Sequence, residues 1–97
     1  MQTYIILAKL TDQGIQNIKD APQRISQSAA DIKAAGGKLV SFYTVMGEYD
    51  YVATFEAPSD EVMMAFLIKL GSSGSVRTKT FRAFTREDLA GIINKLP

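Results

Sequence analysis

Two segments of this chain carry apolar side chains on both of their alternating faces, and nothing else in the sequence constrains the fold as strongly. In Gln2–Leu10 one set is Tyr4, Ile6, Ala8 and Leu10 and the other is Thr3, Ile5, Leu7 and Lys9. In Asp50–Ala57 Tyr51, Ala53 and Phe55 fall on one side and Val52 on the other. A strand that alternates apolar with polar can leave one face in water, whereas a strand apolar on both belongs in the middle of a sheet covered twice. A chain of 97 residues holds material for one core and little more. Cover for the second sheet face has to come from somewhere.

The remaining elements follow from period and punctuation. Thr11, Asp12, Gln13 and Gly14 have turn chemistry and end the first strand. Ile18, Pro22, Ile25, Ala29 and Ile32 recur at steps of three and four, which predicts a helix over Asp20–Ala35, with Pro22 in its first turn and Gly36-Gly37 as its stop. Lys38–Met46 reads as a second strand and joins Asp50–Ala57 through a tight reversal at Gly47-Glu48-Tyr49. Ser59, Asp60 and Glu61 mark a helix start. The helix behind them is apolar nearly all round, with Met63, Phe66, Leu67 and Leu70 on one face, Val62, Met64 and Ile68 on another, and the Met63-Met64 pair expected in the core. Val76–Phe84 is a fourth, edge-like strand bearing Arg77, Lys79 and Arg82. Thr85 to Asp88 has the form of a capping box ahead of a short helix carrying Leu89, Ile92, Ile93 and Leu96.

The order β-α-β-β-α-β-α predicts an α+β, ferredoxin-like βαββαβ domain over 1–97. Its sheet is four-stranded and antiparallel, with two helices on one face and a short C-terminal helix. Right-handed crossovers put the first and third strands in the centre. The helices then cover one face and leave an apolar one open, larger than the ~300–600 Å² that monomers usually tolerate. A second copy stacked face to face would bury roughly 1,600 Å² in total. The expectation is a homodimer through the open sheet face, or a higher oligomer built on it. The alternative is the C-terminal helix folding back over that face.

Composition narrows the chemistry. There is no Cys and no His, which removes disulfides, conventional zinc and copper sites, and Ser-His or Cys-His nucleophiles. No acidic cluster has metal-ligand spacing, so neither metal nor cofactor is expected. A net charge of +1 gives no electrostatic footprint for nucleic acid. No apolar run reaches the ~20 residues of a membrane span and the N-terminus lacks signal-peptide features, so a cytoplasmic protein is expected. Gly71-Ser-Ser-Gly74 lacks the ending and setting of a phosphate-binding loop.

Gly36–Pro58 (GGKLVSFYTVMGEYDYVATFEAP), YIILAKLTDQG near the start and GSVRTKTFRAF later resemble the GYD-domain family of small, mostly bacterial proteins, and the resemblance covers nearly the whole chain. The name-giving Gly-Tyr-Asp is spelled here Gly47, Glu48, Tyr49, Asp50, with Glu48 interposed. The resemblance implies a dimeric α/β barrel of unassigned activity. Similar barrels include cofactor-independent monooxygenases, lactone isomerases, haem enzymes that depend on a histidine this chain lacks, and amino-acid-sensing domains with a Gly-x-Tyr/Phe-Asp hairpin.

Five side chains are candidates for a ligand site: Lys9, Tyr43, Tyr49, Asp50 and Arg82. Lys9 is the only charge on its central-strand face, where an unpaired charge is costly; it either enters a ligand cavity or extends to solvent. Of the neighbouring rings Phe42 and Tyr43 one must face the helices and the other the open side; the hydroxyl makes Tyr43 the better candidate for a cavity wall, with core packing, the more frequent fate of a strand aromatic, as the alternative. Tyr49 and Asp50 either flank a pocket as donor and acceptor or simply build the turn. Arg82 is either a carboxylate fork or a solvated edge residue. The leading expectation is a binding protein that holds a small polar organic ligand between sheet and helices. The second is a cofactor-independent monooxygenase or isomerase for an enolisable or phenolic substrate, with Asp50 as base and Lys9 or Tyr43 holding the charge. The third is an assembly module without a ligand.

Overall fold

In the computed structural model, which describes residues 1–97, the elements are β1 (Gln2–Leu10), α1 (Asp12–Gln16), a single 3-10 turn (Ile18–Asp20), α2 (Ala21–Ala34), β2 (Lys38–Thr44), β3 (Tyr51–Ala57), α3 (Asp60–Ser72), β4 (Val76–Ala83) and α4 (Arg86–Ile93). The strands form one sheet in the order β2-β3-β1-β4, antiparallel at every contact. The two segments apolar on both faces are the two central strands. This is the ferredoxin-like α+β arrangement expected from the element order.

The helix starts form where the cap residues stand. Ser59 Oγ accepts from the Val62 amide at 3.2 Å, and Thr85 and Asp88 exchange side-chain-to-backbone bonds of 3.1 and 3.0 Å. The segment expected as a turn at Thr11–Gly14 is instead the start of α1. Thr11 Oγ1 accepts from the Gly14 amide at 3.1 Å, and Thr, Asp and Gly serve a helix cap as well as a turn. α2 is correspondingly cut to Ala21–Ala34. The hairpin loop is longer than Gly47–Tyr49, because β2 stops at Thr44 and β3 begins at Tyr51.

The core lies wholly on the helix side of the sheet. It comprises Tyr4, Ile6, Ala53, Phe55 and Ala57 from the central strands, Ile32 from α2, and Met63 and Phe66 from α3. The Phe55 and Phe66 rings meet at 5.2 Å between centroids. Met64 and Ile68, expected under cover, remain exposed at 57% and 64%, because nothing in the chain packs on the outer side of α3.

A bulge in β2 decides which rings face inward. Leu39 pairs with Phe55 and Ser41 with Thr54, so Val40 is an extra residue inserted between them. Leu39 and Phe42 consequently share the helix face, although strict alternation would part them. Tyr43, opposite Val52, points to the other face.

That other face is bare. Ile5 and Phe81 are cross-strand neighbours exposed at 36% and 52%, and Val40 and Tyr43 add 49% and 64%. α4 does not fold over it: none of its residues is buried, and Leu89, Ile92, Ile93 and Leu96 are 44% to 67% exposed. The thinnest dimension, 18 Å, is that of one sheet and one helix layer.

Candidate functional site

Beneath α2 and α3 the core is incomplete. The cross-strand pairs Ile6–Ala53 and Ala8–Tyr51 form a floor in which alanine alternates with a large side chain, and Ala21 faces them from α2. Small residues at these places leave a hollow of about 240 Å³, walled by Phe42, Phe55 and Phe66. Interiors normally pack to crystal-like density, so a space this large is a feature of the fold that packing alone does not supply.

Its mouth is polar. Arg24, Gln27 and Asp31 from α2 and Lys69 from α3 line the rim. Lys69 Nζ meets Asp31 Oδ2 at 2.9 Å, tying the two helices together across the opening, and Gln27 Nε2 donates to Asp31 Oδ1 at 2.9 Å. The hydrogen bonds from Lys69 and Gln27 hold the Asp31 carboxyl below its ordinary pKa. Arg24 is anchored by one N–H donated to the Asn17 carbonyl at 3.0 Å and has no carboxylate partner.

None of the five sequence-nominated side chains lines this hollow. Lys9 is exposed on the bare sheet face, beside Arg77 of β4. Tyr43 lies on the same face, which corrects the expectation of a cavity wall: the Val40 bulge gives that place to Phe42. Tyr49 stands with its ring 6.0 Å from Lys79 Nζ. Asp50 clasps the hairpin to β1, its carboxylate accepting from the Leu10 amide at 2.8 Å while its own amide donates to the Ala8 carbonyl at 2.9 Å. Gly47 makes the loop possible with φ of 116°. Arg82 faces the helix side at the far end of the sheet. It stacks 4.8 Å from the Phe84 ring and 5.5 Å from Tyr4, with Nε 3.9 Å from Asp60 Oδ1. No group of three or more acidic side chains converges to hold a metal ion, and no helix is long and apolar enough to cross a membrane.

Residues 4–93 match the GYD domain family. The chain belongs to the GYD-domain family. A Thermus thermophilus protein named glutamine synthetase and cystathionine beta-lyase binding protein is 34% identical over 90 residues, which are 92% of this chain and 95% of that one. Among solved structures, a feast or famine regulatory protein of M. tuberculosis complexed with L-methionine superposes with a TM-score of 0.66 at 20% identity over 88% of this GYD chain. The GYD chain spans 51% of that regulator, about half its length. A solved Thermus thermophilus protein superposes with a TM-score of 0.54 at 24% identity, covering 89% of this chain and 100% of the other. At these identities the likeness is one of fold.

The GYD chain has a second polar group, beside Arg82, that sequence spacing did not reveal. The buried Tyr4 hydroxyl donates to the Asp60 carboxylate, and the Gln2 side-chain amide lies 2.8 Å away. Burial first, and then the bond to Asp60, push the Tyr4 pKa up to about 12. A tyrosine raised in the folded state contributes fully below about pH 10, where the unfolded chain begins to ionise, and its contribution is lost as pH climbs through 12. At 1.36 kcal/mol per unit the loss is about 2–3 kcal/mol. Urea unfolding at pH 9 and pH 11.5 is therefore expected to show a steeper alkaline decline for the wild type than for Tyr4→Phe. Identical declines would mean that Tyr4 is not the titrating group.

Proposed function

We propose that this GYD-domain protein is a binding protein whose hollow between sheet and helices takes a small organic molecule with an apolar body, and that it works as a homodimer. The observation that carries the first part is the hollow itself, with its aromatic walls and polar mouth. Sites for small ligands are concave, mostly apolar and edged by a few polar groups. The walls turn the reading away from a ligand polar throughout. The bare sheet face and the unburied α4 support the second part, since both surfaces need cover and both occur on the same chain. The relative named for binding two enzymes supports a reading in which a partner protein responds to the occupied state.

A thermal-shift experiment with a neutral apolar probe such as 3-phenylpropan-1-ol tests the pocket. A ligand at a hundred times its Kd adds about 2.7 kcal/mol to stability, a rise of roughly 10 °C or more for a domain of this size. Ala53→Met, which puts bulk on the floor, is expected to abolish the rise. A probe that stabilises neither protein, or both equally, refutes the pocket.

A further inference from the structure

The mouth of the hollow is asymmetric in charge, and that asymmetry selects a ligand. Asp31 and Lys69 neutralise each other at 2.9 Å, while Arg24 has no carboxylate within 4.0 Å. Its one anchoring bond, to the Asn17 carbonyl, fixes the side chain and leaves most of the guanidinium's five N–H donors free. Arg24 also stands in the first turn of α2, where the positive end of the helix dipole adds to its charge. The lining of the hollow thus offers one uncompensated cation and no uncompensated anion; the unpaired Asp20 shares a separate depression with Arg24 and Gln27 and lines none of the hollow.

Size and shape supply the other half. An apolar cavity of about 150 Å³ accommodates benzene, and drug-sized ligands need about 300 Å³ or more. The 240 Å³ here suits a single ring with a short chain. The Phe42 and Tyr51 rings stand 5.0 Å apart in a tilted pair, and Phe55 and Phe66 form another at 5.2 Å, arrangements that accept a further ring edge-on or offset.

We propose that the hollow binds an aryl-alkanoic acid, its ring between the Phe42 and Phe66 sides of the cavity and its carboxylate at the mouth on Arg24. The proposal rests on the binding reading above and adds the ligand's class. A carboxylate at the rim stays partly hydrated and avoids the cost of a buried charge, while the planar guanidinium meets it with paired donors. An amine finds no free anion. An α-amino acid is disfavoured for the same reason: Asp31 is paired and lies seven residues along α2 from Arg24, about 10 Å of helix rise, too far for one head group to reach both.

Calorimetric titration at pH 7 with 3-phenylpropionate, 3-phenylpropan-1-ol, 3-phenylpropylamine and L-phenylalanine tests it. The acid is expected to bind at least tenfold more tightly than the alcohol, with the amine and the amino acid weakest. In Arg24→Met the acid's advantage over the alcohol is expected to disappear, and because the comparison is made within one variant a general loss of stability does not mimic it. Equal affinities of acid and alcohol in the wild type, an advantage that survives Arg24→Met, or L-phenylalanine binding as tightly as the acid would each overturn the assignment while leaving an apolar pocket in place. Failure of all four compounds to bind would overturn the pocket as well.

Discussion

Ile5→Asp is expected to convert the protein from a species of twice the 10.6 kDa protomer mass to the protomer itself. Ile5 lies on a central strand, opposite Thr54 of β3 and Phe81 of β4, in the middle of the face that the helices do not cover. It belongs to no part of the core and is already 36% exposed in the single chain, so a carboxylate there leaves the protomer fold intact. In a two-fold pair of sheets each copy contributes its own introduced carboxylate to the contact, and neither finds a partner among Leu7, Val52 and Phe81, since the nearest cation in register, Lys79 opposite Leu7, holds its ammonium against the Tyr49 ring. An unpaired charge in such a setting costs several kcal/mol. At 1.4 kcal/mol per tenfold, about 4 kcal/mol weakens the dimer roughly a thousandfold. Multi-angle scattering at several concentrations reads the mass directly. Ala30→Asp, on the exposed side of α2, is the control and is expected to keep the wild-type mass. A wild type that already runs at 10.6 kDa, or a variant that keeps the doubled mass, removes the face-to-face pairing.

The fold could be read from the sequence wherever a local pattern carried it. The doubly apolar strands, the caps at Ser59 and Thr85 and the glycine stop at Gly36 are all decided within a few residues, and they stand where they were expected. The hollow was not legible in this way, because it is made by side chains that are small. Ala8, Ala21 and Ala53 come from three elements, and only the β1–β3 register brings two of them together. The choice between Phe42 and Tyr43 turned on a bulge that depends on both strands of a pair, and alternation along one strand holds no trace of it. Tyr4 and Asp60 are 56 residues apart and meet only at the sheet end. Arg24 sat unremarked on the polar side of a helix stripe. The signal available for it was weak: a lone cation two turns from Asp31 on the same face.

The second large effect is expected at Gly14, where two physical arguments give opposite signs. Gly14 is within α1, and replacing a helical glycine by alanine ordinarily gains up to about 1 kcal/mol. Here, however, α1 is pressed against the segment entering β4. The Thr11 amide donates to the Ser75 carbonyl at 3.0 Å, Thr11 Oγ1 to the Gly74 carbonyl at 2.5 Å, and Gln13 Nε2 to the Ser73 carbonyl at 3.2 Å. A Cβ on residue 14 would lie 2.2 Å from that same Ser75 oxygen and 2.9 Å from Leu10 Cδ2. The first of these is a backbone atom and cannot swing aside, so α1 would have to withdraw and give up its bonds to the segment. Three hydrogen bonds at about 1 kcal/mol each, set against a propensity gain of about 1, leave a net loss of about 2 kcal/mol. For a domain of this length that is a fall in Tm of roughly 8–16 °C. Gly91→Ala in α4 isolates the propensity effect, because an added Cβ there meets nothing within 4 Å, and it is expected to be neutral or slightly stabilising. If Gly14→Ala also raised Tm, α1 would not be seated against Ser75. The consequence reaches the ligand as well, since Ser73 and Ser75 line the end of the hollow and move with the contact that Gly14 permits.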